Sequence, residues 1–355
     1  MRTFLSLIVL LVAWPAVSMA ETYPEPEAIE RFVAIDNVCA WPNLTVLRDG
    51  TIMATIFNKP SHGLESGDPE CWSSADGRFW KLVGTPARHE PDTIRMNLAA
   101  GLAKNGDLLV LCSGWTNVQQ PGQEKEAPFR DAILRSWVSR SANGGRDWEV
   151  GKEFPPPPSA GLTELIPFGD IHVAEDGSLR ASCYAGDLKT KAYQTWMIRS
   201  DDDGRTWSVM SQVSDKCNET HTFPLGGKSW LAAARHREVL LHRSEDDGRT
   251  WTNQGPVTKA NQINGHLLKL ADGRLLLSYG DRVKGEFGVL ARLSNDQGKS
   301  WGDVYRIAHT LTSDCGYPSS VQRADGQIIT AFYSKTSDNH NRYHMGVAIW
   351  TPPAK

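Results

Sequence analysis
One eight-residue pattern occurs five times in this chain: Ser73 to Trp80 (SSADGRFW), Ser141 to Trp148 (SANGGRDW), Ser200 to Trp207 (SDDDGRTW), Ser244 to Trp251 (SEDDGRTW) and Ser294 to Trp301 (SNDQGKSW). Each copy reads Ser, a variable position, usually a turn residue, then Gly and Trp at fixed offsets. Self-similarity at a roughly constant period is the signature of a repeat fold. The physics of the pattern is a hairpin turn. Asp or Asn caps the turn backbone with its own side chain, Gly supplies a positive φ, and the Trp returns inward to pack between neighbouring units. By this alignment the turn position is degraded in the first two copies, to Ala75 and Asn143.

A second repeated element sets the number of units. Short β-rich runs follow turns at Asp49-Gly50 (TIMATIF), Asn105-Gly106 (DLLVLCS), Asp176-Gly177 (SLRASCY), Gly226-Gly227 (KSWLAAAR), Asp272-Gly273 (RLLLSYG) and Asp325-Gly326 (QIITAFYS). Each reads as the inner hairpin of a sheet, and five are followed by a copy of the pattern in an outer hairpin. The sixth is followed by Tyr343 to Thr351 (YHMGVAIWT), a single closing strand. Six units of four strands predict an all-β, six-bladed β-propeller. Its last blade is expected to borrow an outer strand from the N-terminal region around Arg31 to Ile35, which removes an exposed sheet edge. Pro60 to Pro69 and Gln119 to Pro128 read as rim loops, and Pro155 to Pro158 as a rigid turn or linker within a blade.

The first twenty residues read as a secretory signal: Arg2, an apolar run from Phe4 to Val17, and Ser18-Met19-Ala20 as a small-x-small cleavage site. The run is short for a membrane span and holds Pro15. Residues 1–20 are therefore expected to be removed, leaving residues 21–355 as one exported domain, secreted or periplasmic and without a membrane span. Losing Arg2 takes the net charge from −3 to −4. With no basic block to release counterions from phosphates, nucleic acid is a poor candidate partner. All six cysteines lie beyond residue 20. An oxidising compartment allows one to three disulfides, with free buried thiols the alternative. None forms a C-x-x-C pair, which argues against a zinc site, and no cofactor is implied.

The five copies resemble the Asp-box, or BNR repeat, of sialidases, and the resemblance extends over nearly the whole mature chain. The box by itself indicates architecture, because it also decorates non-enzymatic propellers. The resemblance further implies three arginines gripping a substrate carboxylate, a Tyr–Glu nucleophile pair and an acid/base. Glu219 precedes the fourth inner hairpin and Arg235 follows sixteen residues later, which is similar to the family's Glu-then-Arg pair. Arg282, in SYGDR, sits where the family places its third arginine. Tyr317, in Asp314-Cys315-Gly316-Tyr317-Pro318-Ser319-Ser320, resembles the segment that carries the nucleophile. A carboxylate on the anomeric carbon repels a carboxylate nucleophile. A neutral Tyr deprotonated by an adjacent Glu avoids that repulsion, and planar bidentate arginines suit the substrate carboxylate.

Two parts of the pattern are altered. The Arg-Ile-Pro entry to the first blade is here Ala40-Trp41-Pro42, so the first arginine is missing, and Arg95 in TIRMN is a candidate replacement. In place of the family's Asp, the loop before the first box offers His62, with Asp68 and Glu65 as carboxyl alternatives. A His there could serve as acid or base near neutral pH. The leading expectation is a secreted exo-glycosidase that removes a terminal acidic sugar, sialic acid or a related one, from a glycan. The alternatives are a divergent propeller glycosidase or lyase acting on uronic-acid or deoxy-sugar polysaccharides through His62, and a carbohydrate-binding propeller without turnover. A Glu219–Tyr317 hydrogen bond distinguishes the enzymes from the binding module.

Overall fold
Each of the six glycine turns singled out in the sequence closes a hairpin. In the computed structural model, which describes residues 23–118, 127–337 and 340–355, all twenty-four regular elements are β-strands. Residues 1–20, and most of the Gln119 to Pro128 segment, lie outside the described residues. The strands run in antiparallel groups of four that begin with Cys39–Val46, Thr93–Leu102, Ile166–Val173, Thr220–Gly226, Gln262–Lys269 and Gly316–Gln322. The sixth group has three strands from the C-terminal region and one from far upstream. Ile29–Asp36 pairs antiparallel with Tyr343–Trp350, as the missing outer strand required.

The first strand of each sheet lies beside the first strand of the next, and the sixth returns to the first. They form a ring of neighbours, not a closed sheet. Among the described residues, backbone ladder bonds join only the second and third groups, in a short parallel link of Gly169–Ile171 with Ala99–Gly101. Both faces of each second strand are covered by adjacent sheets, so Ile52–Phe57, Leu179–Gly186 and Leu275–Asp281 are buried at every position. That explains why these strands read as unbroken apolar runs rather than as alternating ones.

The repeated turns hold neighbouring sheets together. In the third and fourth copies Ser200 and Ser244 Oγ accept the Gly204 and Gly248 N–H at 2.8 and 2.9 Å. Asp202 and Asp246 Oδ1 accept the N–H of Thr206 and Thr250, both at 2.8 Å. The tryptophan then donates to the box glycine carbonyl, Trp207 at 3.2 Å and Trp251 at 3.1 Å. The glycines take positive φ, 88° at Gly204 and 77° at Gly248. Each lies against the preceding sheet: Gly145 on Met53, Gly204 on Leu109, Gly248 on Met197 and Gly298 on Leu231, while Gly77 in the first sheet meets Ile329 in the sixth.

The first two copies correct the sequence alignment. The first turn is one residue tighter. Ser74, not Ser73, accepts the Gly77 N–H at 2.8 Å, and Asp76 caps Arg78 at 2.8 Å, so the Asp is present rather than lost at Ala75. Asn143 replaces Asp without loss of function in the turn, accepting the Asp147 N–H at 3.0 Å. All six cysteines are buried thiols and none is in a disulfide. Burial pushes Cys71 and Cys112 up to about 12. Among the described residues no helix is long and apolar enough to cross a membrane.

Candidate active site
All six first strands carry an irregularity in register with a positive φ; in Thr220–Gly226 it lies at the hairpin end, at Gly226, and in the other five it falls within the strand, at Trp41 (35°), Asn97 (56°), Gly169 (86°), Asn264 (59°) and Tyr317 (51°). Such bulges re-aim a side chain at the cost of local strain. Here they turn side chains of several sheets toward one another.

Tyr317, Glu219, Arg235 and Arg282 meet there. The Tyr317 hydroxyl lies 2.8 Å from both Glu219 oxygens and accepts from Arg235 Nη1 at 2.7 Å. Arg235 also pairs directly with Glu219 across the hairpin, and Asn264 Nδ2 donates to Glu219 Oε2 at 3.0 Å. The Arg282 and Arg235 guanidinium carbons stand 5.7 and 5.9 Å from the Tyr317 ring centroid. Arg282 is oriented by the Cys315 carbonyl at 3.1 Å and the Tyr333 hydroxyl at 2.8 Å. Burial pushes the Tyr317 phenol above its ordinary value while Arg235 pulls it down, so the resting group is neutral and needs a base. Burial also works against charge on Arg235, but Tyr317 in its ionised form and the Glu219 carboxylate more than offset it.

The altered side of the site is aromatic. Trp41, standing where an arginine was expected, has its ring centroid 6.5 Å from that of Tyr317 and packs edge-on to His62 at 5.0 Å. His62 is held by its backbone: Arg130 donates to the His62 and Gly63 carbonyls at 3.1 and 3.0 Å. Gly63 has φ 64°, and a Cβ there would collide with Met96. His62 Nδ1 lies 3.2 Å from Asp314 Oδ1, within ion-pair distance but off the line of a hydrogen bond. Tyr333 and Tyr343 both donate to the same Asp314 carboxylate. Burial works against that carboxylate, yet His62 and the two tyrosines hold it well below its usual range.

Not every residue singled out in the sequence joins this cluster. Arg95 is buried in the second sheet, stacked 3.6 Å from the centroid of Trp137 and bonded to the Arg135 carbonyl and Glu90. These partners account for it structurally, and it does not replace the missing arginine. Asp68 pairs with His89 at 2.7 Å and also accepts its backbone N–H. Glu65 is exposed. Conversely, Asp314, Tyr333, Tyr343 and Asn264 were not singled out. Asp314 lies only three residues before Tyr317, but its environment comes from His62 and from strands late in the chain.

A second polar cluster lies on the first strands, where Asp170 meets His221 and His266. The two Nε2 atoms are 3.0 and 3.3 Å from Asp170 Oδ2. Each Nδ1 accepts a backbone N–H, from Leu267 at 3.2 Å and Ser320 at 3.3 Å, which leaves the ring proton on Nε2. A metal-bound His needs the reverse, with Nδ1 donating. The set therefore fits a carboxylate facing two imidazole N–H groups, hydrogen-bonded from His266 and in ion-pair contact with His221, and does not fit a cation. Asn43 Nδ2 adds a third donor at 2.8 Å.

Residues 87–329 match the BNR repeat-like domain model. The chain belongs to that family. No curated protein matches it. This BNR repeat-like chain is similar in fold to an unknown function protein from Dyadobacter fermentans, with TM-score 0.78 and 21% identity over 91% of this chain and 99% of that one. It is likewise similar to the Hadza microbial sialidase Hz136, with TM-score 0.70 and 16% identity over 89% of this chain. Trypanosoma rangeli sialidase in complex with the inhibitor DANA gives TM-score 0.70 and 16% identity over 92% of this chain. The chain spans 66% and 58% of the length of these two sialidases.

Proposed function
We propose that this chain is an exported, sialidase-like exo-glycosidase on a six-bladed propeller that hydrolyses a terminal acidic sugar from a glycan. The ring of first strands and the turn-to-preceding-sheet packing support the propeller reading. The observation that carries the activity is the Tyr317 hydroxyl 2.8 Å from both oxygens of Glu219, with Arg235 on the same hydroxyl. A binding module has no use for that pair. Glu219 takes the phenol proton as the Tyr317 oxygen attacks the anomeric carbon, and Arg235 stabilises the charge that develops on the phenolate. Arg235 and Arg282 grip the substrate carboxylate, and His62 supplies the proton on the leaving-group side.

Trp41 favours a second version of the same chemistry. With one clamp arm replaced by an indole, a uronic-acid or deoxy-sugar glycoside suits the pocket as well as a sialoside does. The test is a panel of fluorogenic sialosides, uronosides and neutral glycosides, run beside Tyr317→Phe. Sialic acid release abolished in the variant supports the first version, and release of other acidic sugars alone supports the second. Glycan binding without turnover would sink both.

A further inference from the structure
Asp314 has no counterpart among the residues the sialidase resemblance supplies, yet two tyrosine hydroxyls donate to its carboxylate and His62 faces it. We propose that Asp314 is the positioning residue of a His62–Asp314 acid/base dyad, so that proton transfer to the leaving group runs through a histidine rather than a lone carboxyl. This rests on the glycosidase reading above.

The geometry supports it from both ends. On the carboxylate side, Tyr333 and Tyr343 donate to Oδ1 and Oδ2 respectively, fixing the plane of Asp314. Oδ1 then faces His62 Nδ1. On the imidazole side, Nδ1 is a buried nitrogen without an aligned hydrogen-bond partner, and Asp314 is the group in front of it. Catalytic hydrogen bonds in unliganded sites are commonly misaligned and tighten when substrate binds. The ring is confined by Trp41 at 5.0 Å, Tyr333 at 6.3 Å and Tyr343 at 6.4 Å. The other charged groups nearby are Arg130, bonded to the His62 carbonyl, Arg282, bonded to Tyr333, and Lys335, whose Nζ lies 5.3 Å over the Tyr343 ring. With Nδ1–H toward Asp314, Nε2 is the nitrogen left for the reaction.

The proton balance closes over two steps. In the first, the Tyr317 oxygen bonds to the anomeric carbon and its proton passes to Glu219. The glycosidic C–O bond breaks, and the leaving oxygen takes the proton from His62 Nε2. In the second, water gives a proton to Nε2 and its oxygen bonds to the anomeric carbon. The Tyr317–carbon bond breaks, and the phenolate recovers its proton from Glu219. Asp314 keeps its charge throughout, as the carboxylate of a His–Asp pair does in acyl transfer.

The experiment compares Asp314→Asn, His62→Ala and Tyr317→Phe on two aryl glycosides of one acidic sugar, one with a good and one with a poor leaving group. Asp314→Asn is expected to lower kcat/KM about 10²-fold or more on the poor leaving group and little on the good one, since kcat/KM reports the step in which the leaving group departs. His62→Ala should show the same split, and the double variant should be no worse than the single one. A uniform loss of kcat/KM on both substrates would make Asp314 a binding or structural residue and overturn the dyad. The ¹⁵N imidazole spectrum of the wild-type chain, with His62 assigned through His62→Gln, supplies a check independent of variant folding. The neutral ring should carry its proton on Nδ1, and an Nε2–H tautomer refutes the proposal. Turnover that survives Tyr317→Phe removes the nucleophile assignment and leaves the leaving-group split to judge the dyad. Absence of any wild-type turnover removes both.

Discussion

Tyr317 has more charged partners on its hydroxyl than its burial requires. A buried phenol ordinarily needs one hydrogen-bond partner, whereas this one touches a carboxylate through both oxygens and a guanidinium as well. Glu219→Gln removes the proton acceptor without changing shape, so kcat should fall about 10²–10⁴-fold. Tyr317→Phe should lose at least as much, with near-native thermal unfolding in both cases. Arg282→Lys keeps the charge but loses the planar fork. Forfeiting a charged hydrogen bond of about 1.5–3 kcal/mol predicts a KM raised about 10- to 100-fold with kcat less affected. Steady-state kinetics on the best glycoside of the panel checks each. The residues that sequence reasoning could reach are those tied to a local pattern, such as Glu219 and Arg235 across one hairpin. Asp314 was in plain view in the same heptapeptide as Tyr317, but an Asp before a Cys carries no local signal. Its meaning comes from His62, Tyr333 and Tyr343, which lie far from it along the chain.

At the scale of one element, the repeated turn is a small self-contained device whose polar bonds and packing can be separated. Asp202 accepts two backbone N–H groups and the Thr206 hydroxyl. Asp202→Ala strands those donors beside solvent, so a loss of about 1–2 kcal/mol is expected in urea unfolding. Asn143→Asp should be destabilising, since Asn143 Nδ2 donates to Asp147 Oδ2 at 2.8 Å and an Asp there would set two carboxylates against each other. Gly204→Ala should cost more than Asp202→Ala, because it adds strain at φ 88° to a collision with Leu109 of the previous sheet. The tightened first turn, where Asp76 replaces the expected Ala75, shows why a fixed-offset alignment misjudges such a motif. The turn is defined by which oxygen reaches which N–H, and one deleted residue preserves that.

For the whole molecule, the centre of the ring is the feature most sensitive to pH. Asp170, His221 and His266 join three sheets, with Asn43 adding a fourth. Burial holds His221 below its ordinary value, and burial pushes the neighbouring His172 down to about 4. Both folded values lie below the unfolded value of about 6.5, so the unfolded chain binds more protons on acidification. Stability from these rings is fully present above about pH 6.5 and is lost as pH falls from there toward 4. For His172 alone the loss is on the order of 3 kcal/mol at most. Urea midpoints measured between pH 8 and 4, about the values named above, should fall in that window. Asp170→Asn, which keeps one acceptor oxygen but turns an amide donor toward the Nε2–H groups, should destabilise by about 1–3 kcal/mol at neutral pH.

The sequence by itself determined the all-β class, the six glycine hairpins, the five repeated turns and the strand that Ile29–Asp36 adds to Tyr343–Trp350. These follow from local chemistry: glycine at positive φ, β-rich runs, and a side-chain cap whose partners lie within a few residues. It also brought forward Tyr317, Glu219, Arg235 and Arg282, through the resemblance of the segments around them to the sialidase pattern. Only the tertiary structure decided that Arg95 stacks on Trp137, that Asp68 pairs with His89, and that His62 faces Asp314. The reason is physical. A bulge with one residue at positive φ changes where a strand aims its side chains, and the partner it then meets belongs to another sheet. No pattern within a single strand encodes that meeting.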